Sequence, residues 1–115
     1  MVCGLLQVNR LLGKKWTIFI LQEIHFNKIL SFNKLNNKLK KTTNRVLSNR
    51  LQELENYGIV KRIVKKRKPL SVEYSLSDKG NELARTLNAT KNWGVKYKVT
   101  PKNCLDSNCN TCLQN

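Results

Sequence analysis

The chain has 115 residues, 40% of them apolar, with five glycines and two prolines. That composition suits one globular domain burying roughly 65% of its unfolded surface and excludes a disordered or fibrous chain. Twenty-two Lys and Arg stand against seven Asp and Glu, a formal charge of +15, which implies a polyanionic partner, nucleic acid before an anionic membrane. The longest apolar run, Ile18–Leu21, is far too short to span a bilayer, and no signal-peptide core follows Met1. A cytoplasmic protein with no membrane association is therefore expected. One histidine and no paired carboxylate cluster leave nothing that resembles a catalytic constellation, so no enzyme is expected.

In chain order, Leu5, Leu6, Leu11 and Leu12 suggest a short first helix interrupted near Gly13. A second runs from about Lys15 to Ile24, with Trp16, Phe19, Ile20 and Ile24 at the spacing of a buried face. Phe26-Asn27-Lys28 reads as a turn. Ser31 is a candidate N-cap for a third short helix carrying Phe32, Leu35 and Leu39. Thr43 (or Thr42) caps a fourth, over residues 43–57, whose stripe is Val46, Leu47, Leu51 and Leu54 and whose left-handed terminator is Gly58. Ile59–Lys65 and Leu70–Leu76 alternate like strands, joined by Lys66-Arg67-Lys68-Pro69 as a hairpin. Ser77 or Asp78 caps a fifth helix through about Trp93. The order is four helices, a hairpin and a helix, the layout of a winged helix-turn-helix. The fold class is α+β and mostly helical, with a two-stranded wing. Residues 1–98 are expected to form the domain and 99–115 a cysteine-rich tail.

Opposite the leucines of the fourth helix fall Arg45, Ser48, Asn49 and Gln52, spaced i, i+3, i+4, i+7, with Asn44 beside them in the first turn. These side-chain types recognise base edges: Arg takes guanine, Asn and Gln take adenine, Ser takes either. A polar stripe opposite a leucine stripe also describes ordinary surface helices, so the neighbours decide. Glu53 and Glu55 sit in the C-terminal half, while the N-terminal half, the half that this motif turns to DNA, has no acid. Lys65, Lys66, Arg67 and Lys68 then crowd the hairpin tip with no acid before Glu73. Four adjacent cations suit a phosphate backbone better than open solvent. Thr43, Asn44, Arg45, Ser48, Asn49 and Gln52 in the major groove of double-stranded DNA, with residues 65–68 on its backbone, is the expected interface.

Several blocks carry a family resemblance. Gly13-Lys14-Lys15-Trp16-Thr17 resembles the "GGKWT" that opens the second helix of HxlR-type transcription regulators, and Phe32 with Leu35 resembles their "FSEL". Arg45-Val46-Leu47-Ser48-Asn49-Arg50-Leu51 with Leu54-Glu55 and Gly58-Ile59-Val60 resembles "RVLSQRLxxLExxGLV". Pro69 with Val72-Glu73-Tyr74-Ser75-Leu76 and Gly80 resembles "PxxVEYSLTxxG", and Trp93-Gly94 resembles the "WG" of the last helix. The resemblance runs from Cys3 to Gly94. It implies a MarR-like homodimer bound to operator DNA, with the first and last helices as interface, which makes Leu5, Leu6, Leu11, Leu12, Leu83, Leu87 and Trp93 its candidate residues. The sequence departs from the family in lacking a Gly-Pro turn before Phe32 and in its more basic hairpin tip.

The four cysteines are Cys3, Cys104, Cys109 and Cys112. Cys3 stands where some HxlR-type regulators carry a cysteine that resembles a redox sensor, and a thiol reacts as thiolate, which a cationic chain favours. The alternative is an inert residue beside the first helix. Cys104-x4-Cys109-x2-Cys112 is one ligand short of a tetrahedral zinc site, which Cys3 or His25 would have to complete. The spacing also echoes a plant-type iron–sulfur run. Thiol switching and a tail of free thiols are the other readings, and no cofactor is expected unless zinc binds there. A non-specific architectural DNA binder remains the alternative function. A protein-interaction module and a Cys109/Cys112 oxidoreductase fit less well, for want of any use for the basic hairpin or a thioredoxin-like context.

Overall fold

The computed structural model describes residues 3–14, 16–39 and 42–99. Five helices and a three-stranded sheet follow in the order α1 (Gly4–Leu12), α2 (Thr17–Asn27), β1 (Ile29–Ser31), α3 (Phe32–Lys38), α4 (Asn44–Asn56), β2 (Val60–Arg67), β3 (Leu70–Leu76) and α5 (Asp78–Lys96). This is a winged helix. Lys15, Lys40, Lys41 and everything from Thr100 onward, including Cys104, Cys109 and Cys112, lie outside the described residues, as does most of the expected tail.

Local chemistry starts three of the helices. Ser31 Oγ accepts from the Lys34 N–H at 3.1 Å, Thr43 Oγ1 from the Val46 N–H at 3.1 Å, and Ser77 Oγ from the Gly80 N–H at 3.1 Å. Each satisfies one of the donors that a helix start leaves orphaned. Gly58, at φ 73°, turns the chain out of α4 and into β2.

The helix faces then meet in one core. Ile20, Leu21 and Ile24 of α2, Leu35 of α3, and Leu47, Leu51 and Leu54 of α4 are buried against Leu30, Tyr74 and Leu76 of the sheet. Phe19 and Val46 are only half-buried, at the margin of that cluster. Trp16 is buried but precedes its helix, held at φ 81°.

The wing differs from the expected hairpin in two ways. It has a third strand: β1 pairs antiparallel with β3, Leu30 opposite Tyr74, giving the order β1-β3-β2. A three-residue strand is too short to show alternation, and its partner lies far along the chain. β3 has the expected bounds, but β2 starts at Val60 rather than Ile59 and continues past Lys65 through Lys66 and Arg67, which pairs with Leu70, leaving Lys68 and Pro69 as the turn. The expected turn at Phe26-Asn27-Lys28 is likewise shifted, since α2 continues to Asn27. The residue that stops it is Lys28, at φ 70°, a left-handed position where glycine is the ordinary signal.

α5 closes the domain against α2 and β3. Ala84 and Gly80 are buried on it, and a Cβ at position 80 would collide with the Ile59 carbonyl. Ser77 Oγ donates to the Gly58 carbonyl at 2.6 Å, binding the start of α5 to the end of α4.

Candidate nucleic-acid interface

α4 is held by one face only. Leu47, Leu51 and Leu54 are at most 1% exposed, so the helix cannot rotate about its axis without opening the core. The opposite face is thereby fixed outward: Asn44, Arg45, Ser48, Asn49 and Gln52 are all exposed, and Thr43 is exposed at the cap. The first turn contains no acid, so its free N–H groups and its side chains present one donor-rich surface.

The two glutamates of α4 have separate fates. Glu53 turns to the side of the helix and pairs with Lys14 and, at 3.7 Å, with Arg50. Its charge is thereby matched within the protein and ties α4 to the segment between α1 and α2. Glu55 is exposed and borders a recess between α4 and the sheet.

Lys66, Arg67 and Lys68 are exposed. Lys65 is not an unmatched cation, as its neighbours in sequence suggested, because a bulge between Val64 and Lys66 brings it 3.4 Å from Glu73 on the adjacent strand. Hairpin pairing supplies a counter-charge that a linear search for acids misses. Arg62 is a further cation near α4 that the run 65–68 overshadowed. It pairs with Tyr74 in the register and, with Ser48, lines both the recess beside Glu55 and an adjoining one bounded by Phe32, Leu70 and Val72. The alternation from buried Val60 was the available signal, because it places residue 62 on the inner side of the sheet.

The candidate interface between copies is dispersed. Leu5 is 80% and Trp93 58% exposed, whereas Leu11 is buried in the core. Leu12, Leu83 and Leu87 pack partly against that core, and Leu6 is exposed with Val8. Trp93 packs against Tyr97 with centroids 5.5 Å apart and the rings tilted by 43°, so α5 ends in an exposed aromatic pair.

Cys3 is a free, exposed cysteine at the N-cap of α1, beside Leu5, Leu6 and Asn9. His25 Nδ1 lies 3.3 Å from Asn81 Oδ1, between α2 and α5. Among the described residues no group of three or more His, Cys, Asp or Glu could hold a metal ion, and no helix is long and apolar enough to cross a membrane.

A leucine-anchored helix with an exposed polar face next to a basic wing is the layout of the helix-turn-helix class, and the protein is a transcription regulator of that class, not an enzyme. The chain belongs to the HxlR-like helix-turn-helix family, whose model matches residues 11–102. It is 38% identical over 87 residues to the uncharacterized HTH-type transcriptional regulator YvaP of Bacillus subtilis, an alignment covering 76% of this chain and 80% of that one. The reduced form of the transcriptional regulator YodB from B. subtilis superposes with a TM-score of 0.70 at 28% identity, covering 84% of this chain and 95% of that one. The redox regulator HypR in its reduced form superposes with a TM-score of 0.72 at 31% identity, covering 84% and 94%.

Proposed function

We propose that the protein is a dimeric, sequence-specific DNA-binding transcription regulator. The observation that carries this is the acid-free first turn of α4 with Asn44, Arg45, Ser48, Asn49 and Gln52 exposed on the face opposite its buried leucines. In this reading α4 enters the major groove and these side chains take base edges, while Thr43 caps the helix at the backbone. Lys66, Arg67 and Lys68 rest on phosphates, and Lys65 adds its charge from beside Glu73. Leu5, Leu6 and Trp93, with Leu12, Leu83 and Leu87 behind them, join two copies.

The test is selection of bound duplexes from a random pool, followed by titration of the selected and a scrambled sequence. An inverted repeat with half-site centres about 10 bp or a multiple apart is expected. Arg45→Ala and Asn49→Ala should each reduce the preference for the selected duplex by about 1–3 kcal/mol. Equal affinity of the wild-type protein for both duplexes would instead establish the architectural reading, which the +15 charge favours.

Redox response is the second element. Cys3 is exposed at the start of α1, beside the apolar residues proposed to join two copies. Diamide takes up two electrons and two protons as two thiols join in a disulfide, and that bond would change the geometry of the pair. Diamide should alter DNA affinity in the wild type. Cys3→Ser should abolish the response, and its persistence in that variant would move the role to Cys104, Cys109 or Cys112.

A further inference from the structure

We infer that the recess bounded by Phe32, Leu70 and Val72, between α4 and the sheet, is a seat for one sugar–phosphate strand of the DNA, with Arg62 as its phosphate ligand; this rests on α4 occupying the major groove. A helix is about 10–12 Å across with its side chains, and the major groove is about 12 Å wide. A helix that enters the groove therefore fills it, and its flanks abut the strands that bound it. On one flank of α4 the protein offers a recess of about 300 Å³, open to solvent, rather than a wall.

The lining of that recess matches the two halves of a backbone unit. Arg62 and Ser71 supply a guanidinium and a hydroxyl, and Ser48, from the base-facing side of α4, borders the same recess. A guanidinium holds two phosphate oxygens at once through parallel N–H donors. Phe32, Leu70 and Val72 supply the apolar part of the lining, which suits the C–H faces of deoxyribose and would be wasted on water. Among the described residues Arg62 forms no ion pair, although Glu55 borders the adjoining recess. The strand then lies on the Ser48–Ser71 side of Arg62, because the Glu55 carboxylate repels it from the other. This seat differs from the wing tip: it sits at the root of the wing, where β2 packs against α4, and fixes the angle at which the helix enters.

The experiment titrates the full chain against a duplex selected from a random pool and a scrambled duplex of equal composition, over a series of KCl concentrations. Arg62→Ala should lose about tenfold in affinity per copy on both duplexes, and the slope of log K against log salt should fall by about 1.8, the contribution of two phosphates, one for each copy. Ethylation interference should show one phosphate in each half-site whose modification blocks the wild-type protein and leaves Arg62→Ala indifferent. Arg62→Lys should keep the slope, and Glu55→Gln should raise affinity on both duplexes, so that a poorly folded Arg62→Ala leaves two informative variants. An unchanged slope and interference pattern in Arg62→Ala, or an unchanged affinity in Glu55→Gln, overturns the inference. A loss confined to the selected duplex overturns it too, by making Arg62 a base reader. Failure of the wild-type protein to bind either duplex at low salt would overturn the DNA-binding reading itself.

Discussion

Gly80 lets the first turn of α5 lie directly on the backbone at Ile59, and no side chain fits between them. Gly80→Ala should therefore cost about 1–3 kcal/mol, as overpacking does when the obstacle is backbone, measured as a shifted urea midpoint. Thr43→Ala removes an acceptor from the Val46 N–H and should cost about 0.5–2 kcal/mol, whereas Thr43→Ser should cost much less. Residues of this kind were largely legible beforehand. Ser31, Thr43, Ser77 and Gly58 act through bonds or dihedrals confined to their own turn, and sequence spells such features directly. Lys28 was not legible, because it holds a left-handed dihedral that its identity does not advertise. Arg62 was hidden differently: a contiguous run of charge at 65–68 is conspicuous, while one cation on the inner side of a strand is visible only through alternation.

Among the elements, α4 carries two obligations on opposite faces, and substitutions should separate them. Leu51→Ala, at a site 1% exposed, should cost about 2–5 kcal/mol of stability and lower DNA affinity only as far as it unfolds the domain. Arg45→Ala should leave the melting temperature near its original value, since the side chain is exposed. If thermal unfolding and DNA titration instead moved together in both variants, the faces would not be independent. The pair between Glu53 and Lys14 adds a third connection, from α4 to the loop after α1. Helix existence and capping could be read from period and punctuation, but β1 could not. Its three residues take their identity as a strand from Glu73, Tyr74 and Ser75, which no local pattern announces.

For the whole molecule, charge and apolar surface set two further expectations. If two copies together neutralise about 6–10 phosphates, affinity should fall by about 10³–10⁵ between 50 and 200 mM salt. Leu5→Glu, at a residue 80% exposed, should leave the fold intact and shift the sedimentation coefficient to that of a monomer; an unchanged coefficient would remove α1 from the interface. The strand order carries one more consequence. Among the described residues β2 has no neighbour beyond it, so its outer row of N–H and C=O groups offers a pairing edge to a strand of another molecule. Five of its eight residues, Lys61, Arg62, Lys65, Lys66 and Arg67, are cations, and two such strands approaching edge to edge would repel each other. The cations proposed to meet a phosphate backbone thus also oppose edge-to-edge pairing between copies.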